Sequence, residues 1–166
     1  MKAIAILIVL ASGFSSLGQK VSNVRMRSIT KPIVKAEING KKAFFLIDTG
    51  SSVSLINSSE LKHFDLKVAN LNDRRKAVGF NGDKEWMKKV VNAELILGEH
   101  FTYRDFYSMD LDVIVSSIQK ETNMRISGII GTDFLKRHRG IIDYNKRYLT
   151  LADRKSYKTL ISLSNE

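Results

Sequence analysis

The residues best suited to chemistry lie where an apolar run of the chain meets a sharp turn. Residues 43–47 are apolar and are followed directly by Asp48, Thr49 and Gly50. Asp and Gly favour tight turns, so the pattern predicts a strand that presents a carboxylate on a turn. A carboxylate can activate a water molecule when a second carboxyl group beside it stays protonated. The alternative is an ordinary β-turn aspartate without a catalytic role.

The sequence carries no pattern typical of other catalytic or metal sites. It has no cysteine, which excludes a disulfide framework, a thiolate zinc site and a cysteine nucleophile. The histidines His63, His100 and His138 show no ligand spacing, and neither a His-Glu-x-x-His motif nor a Gly-x-Ser-x-Gly elbow occurs. We therefore expect no metal and no cofactor, and we assign the histidines to the surface or to packing.

A second pattern lies far downstream of the turn. The hydrophobic pair Ile129 and Ile130 is followed by Gly131 and then by a short helical segment after Thr132. Together with the Asp-Thr-Gly turn, this segment resembles the one that braces the catalytic turn in retropepsin-like aspartic proteases, the single-lobe kind. The resemblance runs over about residues 34–151, and the order of the predicted elements matches that family as well.

The resemblance implies a mostly β fold of the retropepsin-like acid protease type, with one lobe per chain and two or three short helices. A flap hairpin is expected over residues 77–87. Its tip would be Gly79, Phe80, Asn81 and Gly82, of which Asn81 and Gly82 are a typical hairpin turn. In the family, such hairpins close over the peptide and exclude water.

The remaining elements follow from local patterns. Asn39 and Gly40 predict a tight turn between strands 33–38 and 43–47. Asn57, with Glu60 three residues on, predicts a capped helix over residues 58–64. Further predictions are a helix over residues 133–138, a segment 111–119 that fits either a helix or a strand, and a final hairpin of residues 141–144 and 148–151.

Roles within the turn follow from the chemistry and from the resemblance. Asp48 is the catalytic residue, and Gly50 lets the backbone turn without a Cβ clash. The Thr49 hydroxyl, by resemblance, bonds across to the turn of a partner subunit. A Ser51 hydroxyl bonded to the carboxylate would lower its pKa. We therefore expect a more acidic pH optimum than in a Ser51→Ala variant.

One catalytic turn per chain dictates the assembly. Asp48-Thr49 is the only Asp-Thr or Asp-Ser pair in the 166-residue sequence. A pair of catalytic carboxylates then requires a homodimer with two-fold symmetry. The expected partners are a second copy of the chain and a peptide or protein substrate that is hydrolysed between the two carboxylates.

The N-terminus has the pattern of a secretory signal. Lys2 precedes an uncharged apolar run over residues 3–11, and the small residues Ser16 and Gly18 are placed for cleavage. We expect a signal peptide over 1–18, a protease domain over 19–152 and a tail over 153–166 that either extends a dimer sheet or is mobile. The alternative for residues 3–11 is a buried first strand. A cleaved signal leaves an exported protein, periplasmic or secreted, without a stable membrane anchor.

The basic excess does not indicate a nucleic-acid partner. The formal net charge is +10, but the basic clusters are far apart in the chain. A solvated positive surface explains such a distribution better than a single nucleic-acid footprint does. Two other functions stay open, a non-catalytic exported module that binds peptides or proteins on the same fold, and a basic surface-binding module in which the aspartate is incidental.

Overall fold

The computed structural model describes residues 20–69, 74–78, 84–99 and 101–164. Its strands are β1 Val21–Arg25, β2 Ile33–Ile38, β3 Lys41–Ile47, β4 Ser54–Asn57, β5 Arg74–Val78, β6 Lys84–Lys89, β7 Leu95–Leu97, β8 Phe101–Tyr103, β9 Phe106–Met109, β10 Gly128–Ile130, β11 Ile141–Asp143 and β12 Tyr148–Ala152. Its helices are α1 Asp112–Thr122, α2 Thr132–Arg137 and α3 Arg154–Ser164, and a 3-10 turn spans Ser58–Glu60. The predicted mostly β fold with short helices is confirmed.

Within the described residues the strands form two sheets. A nine-stranded sheet has the order β5-β6-β9-β4-β10-β3-β2-β7-β8, and a three-stranded sheet has the order β1-β12-β11. Strand β10 lies at the centre of the large sheet, parallel to β3 on one side and antiparallel to β4 on the other. The large sheet therefore brings together segments that are far apart in the sequence.

The hairpin of β2 and β3 forms where the sequence predicted it. Asn39 and Gly40 have φ angles of 47° and 77°, so both turn residues are left-handed, as a two-residue hairpin turn requires. The Asn39 side chain also donates to the Phe64 carbonyl at 3.1 Å and accepts from the Glu94 amide at 2.9 Å. The turn therefore fixes two neighbouring loops as well as its own strands.

Strand β3 separates two hydrophobic clusters. Phe45 and Ile47 are buried in the larger cluster, whereas Phe44 and Leu46 pack against the smaller one. This is the alternation that a strand between two apolar layers requires. The smaller cluster consists of Ile33, Leu55, Met87, Tyr107, Leu111, Val115, Ile118, Ile126 and Ile129. It lies on the Leu46 side of the strand.

The helix predicted over residues 58–64 is shorter in the structure. Only Ser58–Glu60 is helical, as a 3-10 turn, and the Asn57 side chain makes no cap. Asn57 is fully buried and instead accepts from the Leu111 amide at 3.0 Å and donates to Asp112 Oδ1 at 2.8 Å. Its amide lowers the pKa of Asp112, with a smaller contribution from the Ser59 hydroxyl. A long-range contact has displaced the local cap.

The ambiguous segment after residue 110 is the helix α1. Leu111, Val115 and Ile118 are buried at helical spacing, and the helix ends at Asn123 in a left-handed conformation with φ 57°. The helix predicted over residues 133–138 is α2. Among the described helices, none combines the length and apolarity needed to cross a membrane.

Most of the C-terminal tail is helical, so it does not extend a sheet as one of the two expectations had it. Residues Arg154–Ser164 form α3, which begins after Asp153. Asp153 accepts from the Ser156 amide at 2.8 Å, and this bond lowers the pKa of Asp153. An aspartate at this position stabilises the first turn of a helix. The residue that caps the start of α3 is therefore part of the tail itself.

The flap hairpin is described only in its strands. β5 and β6 pair antiparallel up to Val78 and Lys84, as the sequence predicted. The predicted tip residues Gly79, Phe80, Asn81 and Gly82 lie outside the described residues. β6 continues the sheet towards β9 through Lys88 and Lys89.

Candidate active site

Asp48 follows β3 directly and is fixed by backbone contacts on both sides. Its amide donates to the Ile130 carbonyl at 3.0 Å, and its carbonyl accepts from the Ser51 amide at 3.2 Å. The carboxylate oxygen Oδ1 accepts from the Gly50 amide at 2.8 Å. Asp48 is half-buried, whereas Thr49 and Gly50 are exposed. The turn thus orients the carboxylate and leaves its outer side accessible.

The absence of a side chain at Gly50 matters because of a close contact within the turn itself. A Cβ at Gly50 would lie 3.1 Å from Asp48 Oδ1. That distance is short for a carbon against a carboxylate oxygen that already accepts a hydrogen bond from the same residue. A residue with a Cβ at this position would therefore require the Asp48 carboxylate to shift by a few tenths of an ångström.

The segment predicted to brace the turn lies directly beside it. Ile129 and Ile130 of β10 pair with Leu46 and Ile47 of β3. Gly131 approaches so closely that a Cβ there would meet the Val53 carbonyl oxygen at 2.5 Å. The structure therefore brings these three residues together with Asp48, and only glycine fits at the end of the segment.

The far end of the turn is tied to the start of α2. The Thr132 amide donates to the Ser51 carbonyl at 2.8 Å, and the Thr132 hydroxyl donates to the same oxygen at 3.2 Å. Since Asp48 is bonded to Ile130, both ends of the turn that carries Asp48 are attached to one continuous segment. Such double attachment limits how far the carboxylate can move.

The structure gives the Ser51 hydroxyl a different partner from the one expected. Ser51 Oγ donates to the Val53 carbonyl at 2.7 Å. A hydroxyl has a single proton, so this bond leaves none for the Asp48 carboxylate. The geometry therefore does not support the expected hydrogen bond from the Ser51 hydroxyl to the Asp48 carboxylate.

Asp133 is the centre of a polar network that the sequence did not reveal. Its carboxylate accepts from Ser54 Oγ at 2.7 Å, the Ser54 amide at 2.8 Å, the Tyr103 hydroxyl at 2.7 Å and the Phe134 amide at 2.7 Å. Burial, and next the bond to Asp133, raise the pKa of Tyr103. Ser54 Oγ also accepts from the Gly131 amide at 3.1 Å. The network holds β4, β8 and α2 together behind the turn.

A cavity opens next to the Asp48 carboxylate. It has a volume of about 330 Å³ and is lined by Lys31, Leu46, Asp48, Val113, Ile114, Ser117, Ile118 and Ile129. Apart from the two charged residues and Ser117, the lining is aliphatic. A mainly apolar cavity with a few polar groups is typical of a site for an organic ligand. No group of three or more potential metal ligands occurs among the described residues.

A family comparison agrees with this geometry. The family model described as aspartyl protease matches residues 34–134, which include the turn, α1 and the bracing segment. The chain belongs to the aspartyl protease family. Its sequence matches none of the curated proteins.

Solved structures place this chain in the retropepsin-like fold. A retropepsin-like aspartic protease from Rickettsia conorii is similar with a TM-score of 0.51 and 18% identity, over 81% of this chain and 92% of that chain. The retroviral protease-like domain of Ddi1 from Leishmania major is similar with a TM-score of 0.50 and 20% identity, over 73% of this chain and 87% of that chain. At these identities the likeness shows the fold, and it confirms the predicted fold class.

Asp143 and two of the histidines have structural settings. Asp143 accepts from the Lys146 amide at 2.8 Å and closes the turn between β11 and β12. His138 packs against Phe101 and Phe134, with ring centroids 5.3 Å and 4.6 Å away. Burial, and next the neighbouring Arg137 charge, lower the pKa of His138. The exposed His63 ring packs edge-to-face against the buried Phe64.

Proposed function

We propose that this aspartyl protease is an endopeptidase that hydrolyses peptide bonds as a homodimer, with Asp48 of each subunit as the catalytic residue. The observation that carries the proposal is the setting of Asp48, a half-buried carboxylate on an exposed turn beside an apolar cavity. The Asp-Thr-Gly signature within the matched family region supports the same role.

The need for a second subunit follows from the chemistry of a carboxylate pair. Asp48 is the sole carboxylate among the residues that line the cavity, and its one charged neighbour there is Lys31. A second carboxyl group can be supplied by the same turn of another copy across a two-fold axis. The exposed Thr49 and Gly50 leave that side of the turn available for such a contact.

The proposed reaction uses a water molecule between the two Asp48 side chains. Like charges this close cannot both ionise easily, so one carboxyl group stays protonated while the other is charged. The charged carboxylate takes a proton from water as the water oxygen attacks the peptide carbonyl, and the protonated one donates to the carbonyl oxygen. The tetrahedral intermediate then breaks its C–N bond. The departing amine takes up the proton that the first carboxylate gained from water, and one hydroxyl of the intermediate returns its proton to the second carboxylate, which restores the singly protonated pair.

We also propose that the working form begins at Gln19 and acts outside the cytoplasm. The supporting pattern is the charged start, apolar run and small residues of the first 18 positions. Mass spectrometry of the protein recovered from the exported fraction of an expressing cell tests this. A chain that keeps its first 18 residues, or that stays in the cytoplasm, would overturn it.

Cleavage of a mixed peptide library tests the proposed activity. Residues 19–166 would be incubated with the library from acidic to neutral pH, beside Asp48→Asn and with a statine-type transition-state mimic. We expect cleavage that both the substitution and the mimic abolish. Sedimentation at the assay concentration shows whether a dimer is present. A confirmed dimer that binds peptides and cleaves none at any pH would instead support the non-catalytic binding module.

A further inference from the structure

A second cavity lies along β3, away from the turn that carries Asp48. It has a volume of about 310 Å³ and is lined by Lys42, Ala43, Phe44, Glu60, His63, Phe64, Arg125 and Ser127. None of these residues lines the cavity beside Asp48. Phe44 precedes Asp48 by four positions, which is about 13 Å along a strand. We call this second space the basic cavity.

The floor of the basic cavity is apolar and contains one hydroxyl group. Ala43 and Phe64 are 2% and 0% exposed, and Ser127 is 7% exposed. The Ser127 amide donates to the Phe44 carbonyl at 2.7 Å, and its carbonyl accepts from the Asn57 amide at 2.9 Å. Within the described residues the Ser127 hydroxyl has no hydrogen-bond partner. A buried polar group without a protein partner is satisfied by water or by a ligand.

The charged side chains of the basic cavity favour an anion. Nε and Nη2 of Arg125 donate to Glu60 Oε1 at 3.2 Å and 3.1 Å, which leaves the Nη1 group of Arg125 available as a donor. Lys42 is exposed, and among the described residues it forms no ion pair. Its ammonium lies 4.9 Å from the centroid of the Phe44 ring. Two cations therefore face one carboxylate, which Arg125 already neutralises.

The loop that carries His63 is fixed beside the basic cavity. Lys41 Nζ donates to the His63 carbonyl at 2.7 Å and to Asp65 Oδ2 at 2.6 Å, so the nearby carboxylate of Asp65 is also neutralised. The His63 ring packs edge-to-face against Phe64, with centroids 4.6 Å apart. A site whose walls are held before a ligand arrives loses less entropy on binding.

We propose that the basic cavity binds a small organic carboxylate with an apolar body. The carboxylate accepts from Lys42, from the Nη1 group of Arg125 and from the Ser127 hydroxyl, and the apolar body packs against Phe44 and Phe64. Guanidinium groups match the planar geometry of carboxylates, and apolar walls with a few polar groups are typical of small-molecule sites. The inference goes beyond the proposed peptidase function, because it concerns a cavity that shares no lining residue with the site of that reaction.

Titration of the purified protein with phenylpropionate tests the proposal, and the uncharged phenylpropionamide is the matched control ligand. Backbone amide signals in proton–nitrogen correlation spectra report both the affinity and the place of binding. We expect a Kd of about 1 mM for the carboxylate, with shifts at Ala43, Phe64 and Ser127, and at least about tenfold weaker binding of the amide. Equal affinity for the two, no saturation below about 10 mM, or shifts centred on the turn of Asp48 would overturn the proposal.

Three variants test which residues bind the carboxylate. Lys42→Gln is compared with Lys67→Gln, since both remove a positive charge from an exposed side chain and Lys67 does not line the cavity. Lys42→Gln should raise the Kd at least about fivefold and Ser127→Ala about threefold, whereas Lys67→Gln should keep it within about twofold. Tm values check that all three fold. An unchanged Kd in either cavity variant would overturn the proposal.

A carboxylate with an apolar body is presented by a free organic acid or by the C-terminus of a peptide. The tripeptide Ala-Ala-Phe distinguishes these sources in the same titration. Tighter binding than that of phenylpropionate identifies a peptide terminus, and weaker binding identifies a free acid, and both outcomes support the site if Lys42→Gln weakens the binding. The titrations are repeated on Asp48→Asn, where the affinities should be unchanged, so failure of the proposed catalysis leaves this inference standing.

Discussion

Asp48 and Asp133 lie on either side of the bracing segment, and their carboxylates are satisfied to very different degrees. Asp133 accepts four hydrogen bonds, from Ser54, Tyr103 and Phe134. Within the part of the chain that the structure describes, the Asp48 carboxylate accepts one, from the Gly50 amide. A carboxylate has about four acceptor sites, so Asp133 has none to spare and Asp48 keeps most of them for water and substrate.

The difference shows that two aspartates in one fold can have separate roles, because one is used up in structural hydrogen bonds and the other is left available to ligands. Asp133 holds β4, β8 and α2 in place, and those elements hold the turn that carries Asp48. The Asp48 carboxylate can keep free acceptor sites because the backbone of its turn is bonded to Ile130 and Thr132. Substitutions should therefore separate activity from stability at these two positions.

The largest expected effect is on activity at Asp48. Asp48→Asn should lower kcat/KM by at least about 10³-fold, because the amide can act neither as general base nor as general acid. Stability should change by no more than about 0.5 kcal/mol, since the amide oxygen can still accept from Gly50. Peptide cleavage measures the change in activity, and urea unfolding measures the change in stability. Activity that survives in Asp48→Asn would contradict the assignment.

The second effect is on stability at Asp133. Asp133→Asn should lower the free energy of unfolding by about 3 kcal/mol, because bonds to a charged acceptor are lost and the amide donors face the partners' donors. Asp143→Asn is the matched control, as Asp143 accepts from one turn amide and asparagine suits turns. Urea unfolding compares them. Equal losses of unfolding free energy in Asp133→Asn and Asp143→Asn would contradict the structural role given to Asp133 in contrast to Asp48.

The third effect concerns acid, and it tests the packing behind Asp133. Because burial lowers the pKa of His138, the unfolded chain binds a proton more readily, and stability should fall as the pH drops below about 6.5. His138→Phe should remove part of that fall, worth about 2–4 °C in Tm at pH 5. The control is His63→Gln at the surface. Parallel Tm curves for wild type and His138→Phe would show that His138 does not contribute.

The smallest effect is expected at Ser51. Because its hydroxyl donates to the Val53 carbonyl, Ser51→Ala should cost about 1 kcal/mol of stability and leave the acid limb of the activity profile in place. The pH dependence of kcat/KM and a urea titration measure this. A shift of the acid limb would mean that the hydroxyl turns to the carboxylate in the working enzyme.

The sequence predicted the parts of the site whose signal is local. Asp48 and Gly50 are adjacent in one turn, and the bracing glycine Gly131 follows a hydrophobic pair. The hairpin at Asn39 and Gly40 was equally predictable from the sequence, because these two residues alone adopt the left-handed conformations that define its turn. In each case the physical cause lies within a few positions of the residue itself.

The parts that the sequence missed depend on distant partners. Ser54 and Tyr103 meet Asp133 across 79 and 30 positions, and no spacing rule connects them. Asn57 had the local signature of a cap, but its buried amide instead joins residues more than 50 positions away, at Leu111 and Asp112. Ser117 of α1 and Leu46 of β3 line the same cavity although about 70 positions separate them in the sequence.

The three-stranded sheet, the small sheet of the two, has a consequence for the order in which the chain folds. β1 pairs along its whole length with β12, from Val21 opposite Ala152 to Arg25 opposite Tyr148. The Asp153 amide extends this pairing to the Lys20 carbonyl. β1 is synthesised early and therefore cannot pair until its partner strand β12 has also been synthesised. Closing so long a loop is slow, so we expect the small sheet to be the last element to form.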